Sequence, residues 1–183
     1  MQDDKRDMGR EPSSPAGLPQ FPVEQDTGIR IARDGTWFHN GDPIKRIALT
    51  KLFSTVLRRD DAGDYWLITP VERGRIVVDD VPFIAVEMGT GGIGEDQVLS
   101  FRTNLDEWVE AGPDHPIRVA HNSETGEPTP YIVIRKGLEA RIARSVYYEM
   151  VDRCATTGPA GEEAEIGVWS NKQFFALGRL SGD

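Results

Sequence analysis

Cysteine is almost missing from this chain. Cys154 is the only one among 183 residues, which excludes an internal disulfide and any multi-thiolate metal site and fits a reducing compartment. On an apolar stripe, Cys154 reads as a buried structural thiol. Histidine is nearly as scarce. His39, His115 and His121 show no H-x-x-x-H spacing, so no metal is expected. The longest apolar run, Val81 to Val86, has six residues, far short of the roughly 20 needed to span a bilayer. No membrane association is expected. The opening Met1-Gln2-Asp3-Asp4-Lys5-Arg6 lacks the hydrophobic segment of a secretory signal, and Gln2 stands where myristoylation requires glycine. A cytoplasmic protein is the expectation. No G-x-S-x-G, Walker or kinase motif occurs, so hydrolase and kinase labels have no carrier and no cofactor is expected.

Positive charge is in deficit: 21 Lys and Arg against 30 Asp and Glu give a formal charge of -9. That balance argues against a partner with a phosphate backbone, such as nucleic acid. Sixteen of the 21 basic residues are arginine, however, so pockets for one small phosphate or carboxylate stay open. A hydrophobic content of 38% is enough for a packed core.

Residues 1–28, with Pro12, Pro15, Pro19 and Pro22 among charged and small residues, read as a disordered tail. Ile29 and Ile31, the Asp34-Gly35 turn and Trp37-Phe38-His39 form a hairpin signal. Leu49, Leu52, Phe53, Val56 and Leu57 then repeat at helical spacing, predicting a helix of about 13 residues. Tyr65–Pro70, Gly74–Val78, Pro82–Met88 and Gln97–Thr103 read as an antiparallel meander. Asn104 with Glu107 has the spacing of a helix cap, opening a short helix through Trp108 that ends at Gly112-Pro113. Ile117-Arg118-Val119-Ala120 echoes Ile29-Arg30-Ile31-Ala32 and starts a second pass: a turn at Thr125-Gly126-Glu127, a strand Pro130–Arg135 and a helix Leu138–Cys154. Two strands turning at Ser170-Asn171-Lys172 close it. The expected fold is α+β, two duplicated antiparallel-sheet-plus-helix halves, 29–103 and 104–183.

Gly89-Thr90-Gly91-Gly92-Ile93-Gly94 satisfies G-x-G-x-x-G, yet a strand follows it where a dinucleotide fingerprint needs a helix N-terminus, so it reads as a hairpin loop. Glu72, Arg73 and Arg75 beside Asp79-Asp80 form either an anion site or a solvated turn with compensated charges. Arg141, Arg144 and Tyr148 fall off the apolar stripe of the long helix, where solvent is the default and a ligand-facing surface the minority reading. Arg102, Thr103 and Asn104 end a strand where donors can converge on an anion. They are the preferred polar cluster.

The run Trp37 to Ile44, then Leu52-Phe53, Leu57, Tyr65, Thr69-Pro70-Val71-Glu72, Asp80-Val81-Pro82-Phe83, Phe101-Arg102-Thr103-Asn104, Pro130-Tyr131 and Arg135, resembles a small proteobacterial family known as domain of unknown function twelve-eighty-five. The likeness covers roughly Ile29 to Met150. Arg73 stands where that pattern has lysine, and the Gly89 loop lies outside it. The resemblance implies a duplicated α+β core, a second half superficially like pleckstrin-homology folds, a cleft between the halves holding a nucleotide-type ligand, and a role in signalling.

Three readings of function compete. The first is a non-enzymatic sensor that binds a small anionic, nucleotide-like ligand between its halves through His39, Glu72, Arg73, Asp80, Arg102, Thr103, Asn104 and Arg135. The second is an enzyme pairing His39 with Glu72 or Asp80 as acid and base. The third is a protein-binding module that exposes aromatics such as Tyr148 and Trp169.

Overall fold

The computed structural model describes residues 23–157 and 164–180. Strand β1 (Val23–Ile31) opens inside the stretch expected to be tail; residues 1–22 lie outside the described part. It turns at Asp34-Gly35, with Gly35 at φ +85°, into β2 (Trp37–His39), as the hairpin signal predicted. β3 (Asp42–Pro43), helix α1 (Ile47–Thr55), β4 (Leu57–Arg59), β5 (Tyr65–Ile68) and β6 (Glu72–Val78) follow.

These strands form one six-stranded sheet, ordered β3-β2-β1-β6-β5-β4. Its central pair, β1 and β6, is parallel. Every other pairing in it is antiparallel. α1 is shorter than the apolar spacing suggested. Leu57 belongs to β4, Leu52 is 61% exposed, and the helix buries Thr50 and Ser54 instead. Both hydroxyls tolerate burial because they donate to the carbonyls of Ile47 and Lys51.

The second sheet collects β7 (Phe83–Gly91), β8 (Val98–Thr103), β9 (Trp108–Glu110), β10 (Ile117–His121), β11 (Pro128–Arg135) and β12 (Leu138–Ile142). Their order is β10-β11-β12-β7-β8-β9, with the central β12–β7 pair parallel. The two sheets therefore share one topology: three strands run outward, three return, and the first and last pair in parallel at the centre. The duplication lies there. β1 corresponds to β7, so the Ile29 and Ile117 segments are not equivalents; β10 is the fourth strand of its sheet. The halves part at Asp79–Val81 rather than at 103/104, because β7 and β8 pair within the second sheet. The expected meander is cut at the same place. β5–β6 and β7–β8 are antiparallel hairpins of different sheets.

Two expected helices are corrected. Asn104 caps nothing: Asp106, at φ +64°, breaks any helix, and the chain enters β9. Leu138–Cys154 divides into β12 and helix α2 (Arg144–Val151). Leu138, Ala140 and Ile142 are buried in alternation, as a strand between β11 and β7 requires; Val146 and Met150 are the buried face of α2. A third sheet, β13 (Ala155–Thr157), β14 (Ala164–Ser170) and β15 (Gln173–Leu180), closes the fold. Asn171 and Lys172 both have positive φ in the β14–β15 turn, the arrangement that fits strand twist.

One apolar core serves both halves. It joins Ile31, Trp37, Leu57 and Ile76 to Phe83, Phe101, Ile132, Met150, Val168 and Phe175. Cys154 is half-buried, and burial first, then Asp152, pushes its thiol up, away from the reactive thiolate. The Gly89–Gly94 stretch ends β7 and turns into β8, the hairpin expected. Among the described residues no helix is long and apolar enough to cross a membrane, and no three His, Cys, Asp or Glu side chains gather as a metal set.

Candidate functional site

The hairpin turn between β1 and β2 carries Arg33 to the boundary between the halves. There it meets the end of β12, which brings Arg141, and the start of α2, which brings Arg144, Tyr147 and Tyr148. Together with Glu127 to Pro130, at the start of β11, they line an open cleft of about 290 Å³. Three guanidiniums thus arrive from three separate elements, suited to the spread oxygens of a phosphate.

Each arginine is held differently. Arg141 Nη2 donates to the carbonyl oxygen of Arg33 at 2.6 Å, while its Nε lies 3.5 Å from Asp80 Oδ2, an ion-pair contact that makes no hydrogen bond. Asp80 is itself anchored by the Tyr131 hydroxyl, at 3.0 and 3.3 Å from its two oxygens. Burial first, and then Asp80, pushes the Tyr131 phenol up, so it stays a donor. Tyr131 in turn lies beneath Arg118, 4.1 Å from ring centroid to guanidinium, and Arg118 makes a bidentate pair with Glu139. This chain of contacts fixes Arg141 from behind. Arg144 Nε donates to the Tyr148 hydroxyl at 3.0 Å. The Arg33 side chain has no ion-pair partner among the described residues and is exposed at the rim.

The residues expected to bind ligand do not form one site. His39 is exposed on β2 and accepts only a 3.4 Å contact from Asn40. Glu72 and Arg73 line a separate groove with Phe53 and Leu67, and Arg73 stacks on Trp66 at 4.5 Å. Arg102 is spent on Glu87 and Asp106, at 2.7 and 2.8 Å. Thr103 is fully buried, its Oγ1 accepting the backbone N–H groups of Leu105 and Glu107. Asn104 ties the halves together: Oδ1 accepts the Ile84 N–H at 3.0 Å and Nδ2 reaches the Gly35 carbonyl at 3.5 Å. Arg135 pairs with Glu107 and donates to the Ser54 carbonyl.

Arg102 and Arg135 therefore flank one turn, yet carboxylates already neutralise them. The cavity beside that turn, lined by Lys51 and Arg135 with Asp106 and Glu107, offers no uncommitted cation. None of the eight lines the seam cleft; Asp80 alone touches one of its arginines, Arg141, through the Nε side. Arg33 carried no signal in the sequence beyond its place before a turn; Arg141, Arg144 and Tyr148 were visible only as a helix surface.

Two family profiles match adjoining stretches of this chain. "Domain of unknown function (DUF1285), N-terminal domain" covers residues 18–81, and "Protein of unknown function (DUF1285), C-terminal domain" covers 82–177. Their junction coincides with the parting of the two sheets. A DUF1285 family protein from Silicibacter pomeroyi DSS-3 is similar at 43% identity and a TM-score of 0.78, over 87% of this chain and 85% of that one. Another, from Shewanella baltica OS155, is similar at 25% identity and a TM-score of 0.55, over 68% of this chain and 91% of that one. No curated protein matches.

Proposed function

This chain belongs to the DUF1285 family, and from that premise we propose that it binds a small anionic, nucleotide-like ligand in the cleft between its halves, as a cytoplasmic, non-enzymatic component of signalling. The observation that carries the reading is the convergence of Arg33 from one half with Arg141 and Arg144 from the other around one open cleft. A ligand there touches both halves at once. Tyr147 and Tyr148 supply flat walls for a ring next to the anion.

The acid–base alternative lacks its geometry. His39 and Glu72 line no common cavity, and Asp80 is engaged by Tyr131 and Arg141. The partner-binding alternative keeps Tyr148, which is 55% exposed, but Trp169 is half-buried edge-on against Phe174. Likeness of the second half to pleckstrin-homology folds stays part of the proposal, as a platform that presents the cleft.

Thermal unfolding in the presence of a nucleotide panel tests the reading. A ligand at about 100 times its Kd adds about 2.7 kcal/mol of stability. A raised Tm with at least one nucleoside phosphate, abolished by Arg141→Gln, is expected. No shift with any member, at millimolar ligand, would contradict it.

A further inference from the structure

We infer that Glu127 sets the affinity of the seam cleft by competing with the ligand for Arg144. The inference rests on the anion-binding reading above. Glu127 is the one carboxylate among the cleft-lining residues, which include three arginines.

Its backbone is fixed. The Glu127 carbonyl accepts the Asn122 N–H at 3.0 Å, its own N–H reaches Thr125 Oγ1 at 3.3 Å, and Asn122 Oδ1 accepts from Glu124 and Thr125 inside the same turn. Its side chain is not: it is 62% exposed and takes part in one ion pair, Oε1 lying 3.8 Å from Arg144 Nη2. That distance is beyond a hydrogen bond and within Coulombic reach.

Arg144 has little else to offer. With Nε given to Tyr148, only the Nη edge can meet a ligand, and that edge is where Glu127 stands. A carboxylate tethered beside a cation is a competitor at high effective concentration. An entering anion must displace it. The displacement is cheap, because no hydrogen bond is broken and the freed carboxylate is already mostly hydrated. Asp80 does not play this part, since it faces the Nε side of Arg141 and is held by Tyr131.

Titration of methyl phosphate tests the inference. The ester has a second pKa of about 6 and is a dianion at about pH 8. Binding is followed by NMR of the arginine side chains in the full-length protein, in Glu127→Gln, in Arg144→Gln and in the double variant. Glu127→Gln is expected to lower Kd by up to about fivefold, the worth of an exposed ion pair, with a larger effect at low salt. In the Arg144→Gln background the same change should move Kd by less than about 1.5-fold. An unchanged or raised Kd in Glu127→Gln would make Glu127 a bystander or a ligand contact, and overturn the inference. Equal tightening in both backgrounds would overturn it too, by reducing Glu127 to a distant charge. If no protein binds, wild type included, the anion-binding reading falls and the inference with it.

Discussion

Arg141 donates a hydrogen bond at 2.6 Å to the main-chain carbonyl of Arg33, 108 residues away in sequence. This single bond joins the turn of the first sheet to the end of the central strand of the second, beside the candidate site. Arg141 Nε faces Asp80, so the guanidinium is oriented on two sides, and its remaining donors border the cleft.

Arg141→Lys therefore keeps the charge and loses the fork. Lysine cannot reach the Arg33 carbonyl, Asp80 and a ligand oxygen together. Methyl phosphate affinity should fall about tenfold or more, while unfolding stability drops by about 1 kcal/mol, the net worth of one hydrogen bond. Isothermal titration and urea denaturation measure the two.

Asn104→Ala should separate stability from binding. It removes the acceptor of the Ile84 N–H and a contact to Gly35, leaving a part-buried backbone donor unsatisfied. A loss of about 1–3 kcal/mol is expected. Ligand affinity extrapolated to the folded state should not change, because Asn104 does not line the cleft.

A shared core predicts one unfolding transition rather than two. Leu57 of β4 is fully buried and belongs to the same apolar cluster as Phe101 and Met150. Leu57→Ala should cost about 2–5 kcal/mol, and hydrogen exchange should report that loss in β7, β8 and β12 as well as in the first sheet. Loss confined to the first sheet would show that the halves unfold separately.

Acid should weaken the first half through Asp60 only once the pH falls below the ordinary carboxylate range. The Trp66 Nε1–H donates to Asp60 Oδ2 at 2.8 Å, and the Asp64 N–H to Oδ1 at 2.8 Å. The indole bond first, then the backbone bond, holds this carboxyl below its usual range. A depressed folded pKa contributes stability that is complete above the unfolded value of about 3.9 and is lost as pH falls through the folded pKa. Trp66 fluorescence should change in that window below about pH 4, and Asp60→Asn should flatten the change.

Much of the hairpin content was legible because it rests on local turn chemistry. Asp34-Gly35 and Ser170-Asn171-Lys172 turn where expected, with positive φ at Gly35, Asn171 and Lys172. The split of Leu138–Cys154 was not legible, for a physical reason. Leu138, Ile142, Val146 and Met150 recur every four residues, which satisfies the strand period and nearly satisfies the helical one. Pairing of β12 with β7, more than 50 residues earlier, decides between them. The site was hidden by the same error. Arg141 and Arg144 read as one helix surface, whereas they occupy the end of a strand and the first turn of a helix. Arg102 and Arg135 looked available because sequence does not show that Glu87, Asp106 and Glu107 already hold them. The proposal of a ligand between the halves therefore rests on residues other than those the sequence pointed to.

The most direct measurement is the Kd of methyl phosphate for four proteins: wild type, Arg33→Gln, Arg141→Gln and Arg102→Gln. Each substitution removes one positive charge, so the non-specific electrostatic change is matched. Weakening of about tenfold or more in Arg33→Gln and Arg141→Gln, with wild-type affinity in Arg102→Gln, is the predicted result. Weakening in Arg102→Gln alone, or equal affinity in all four, would contradict an anion site between the halves.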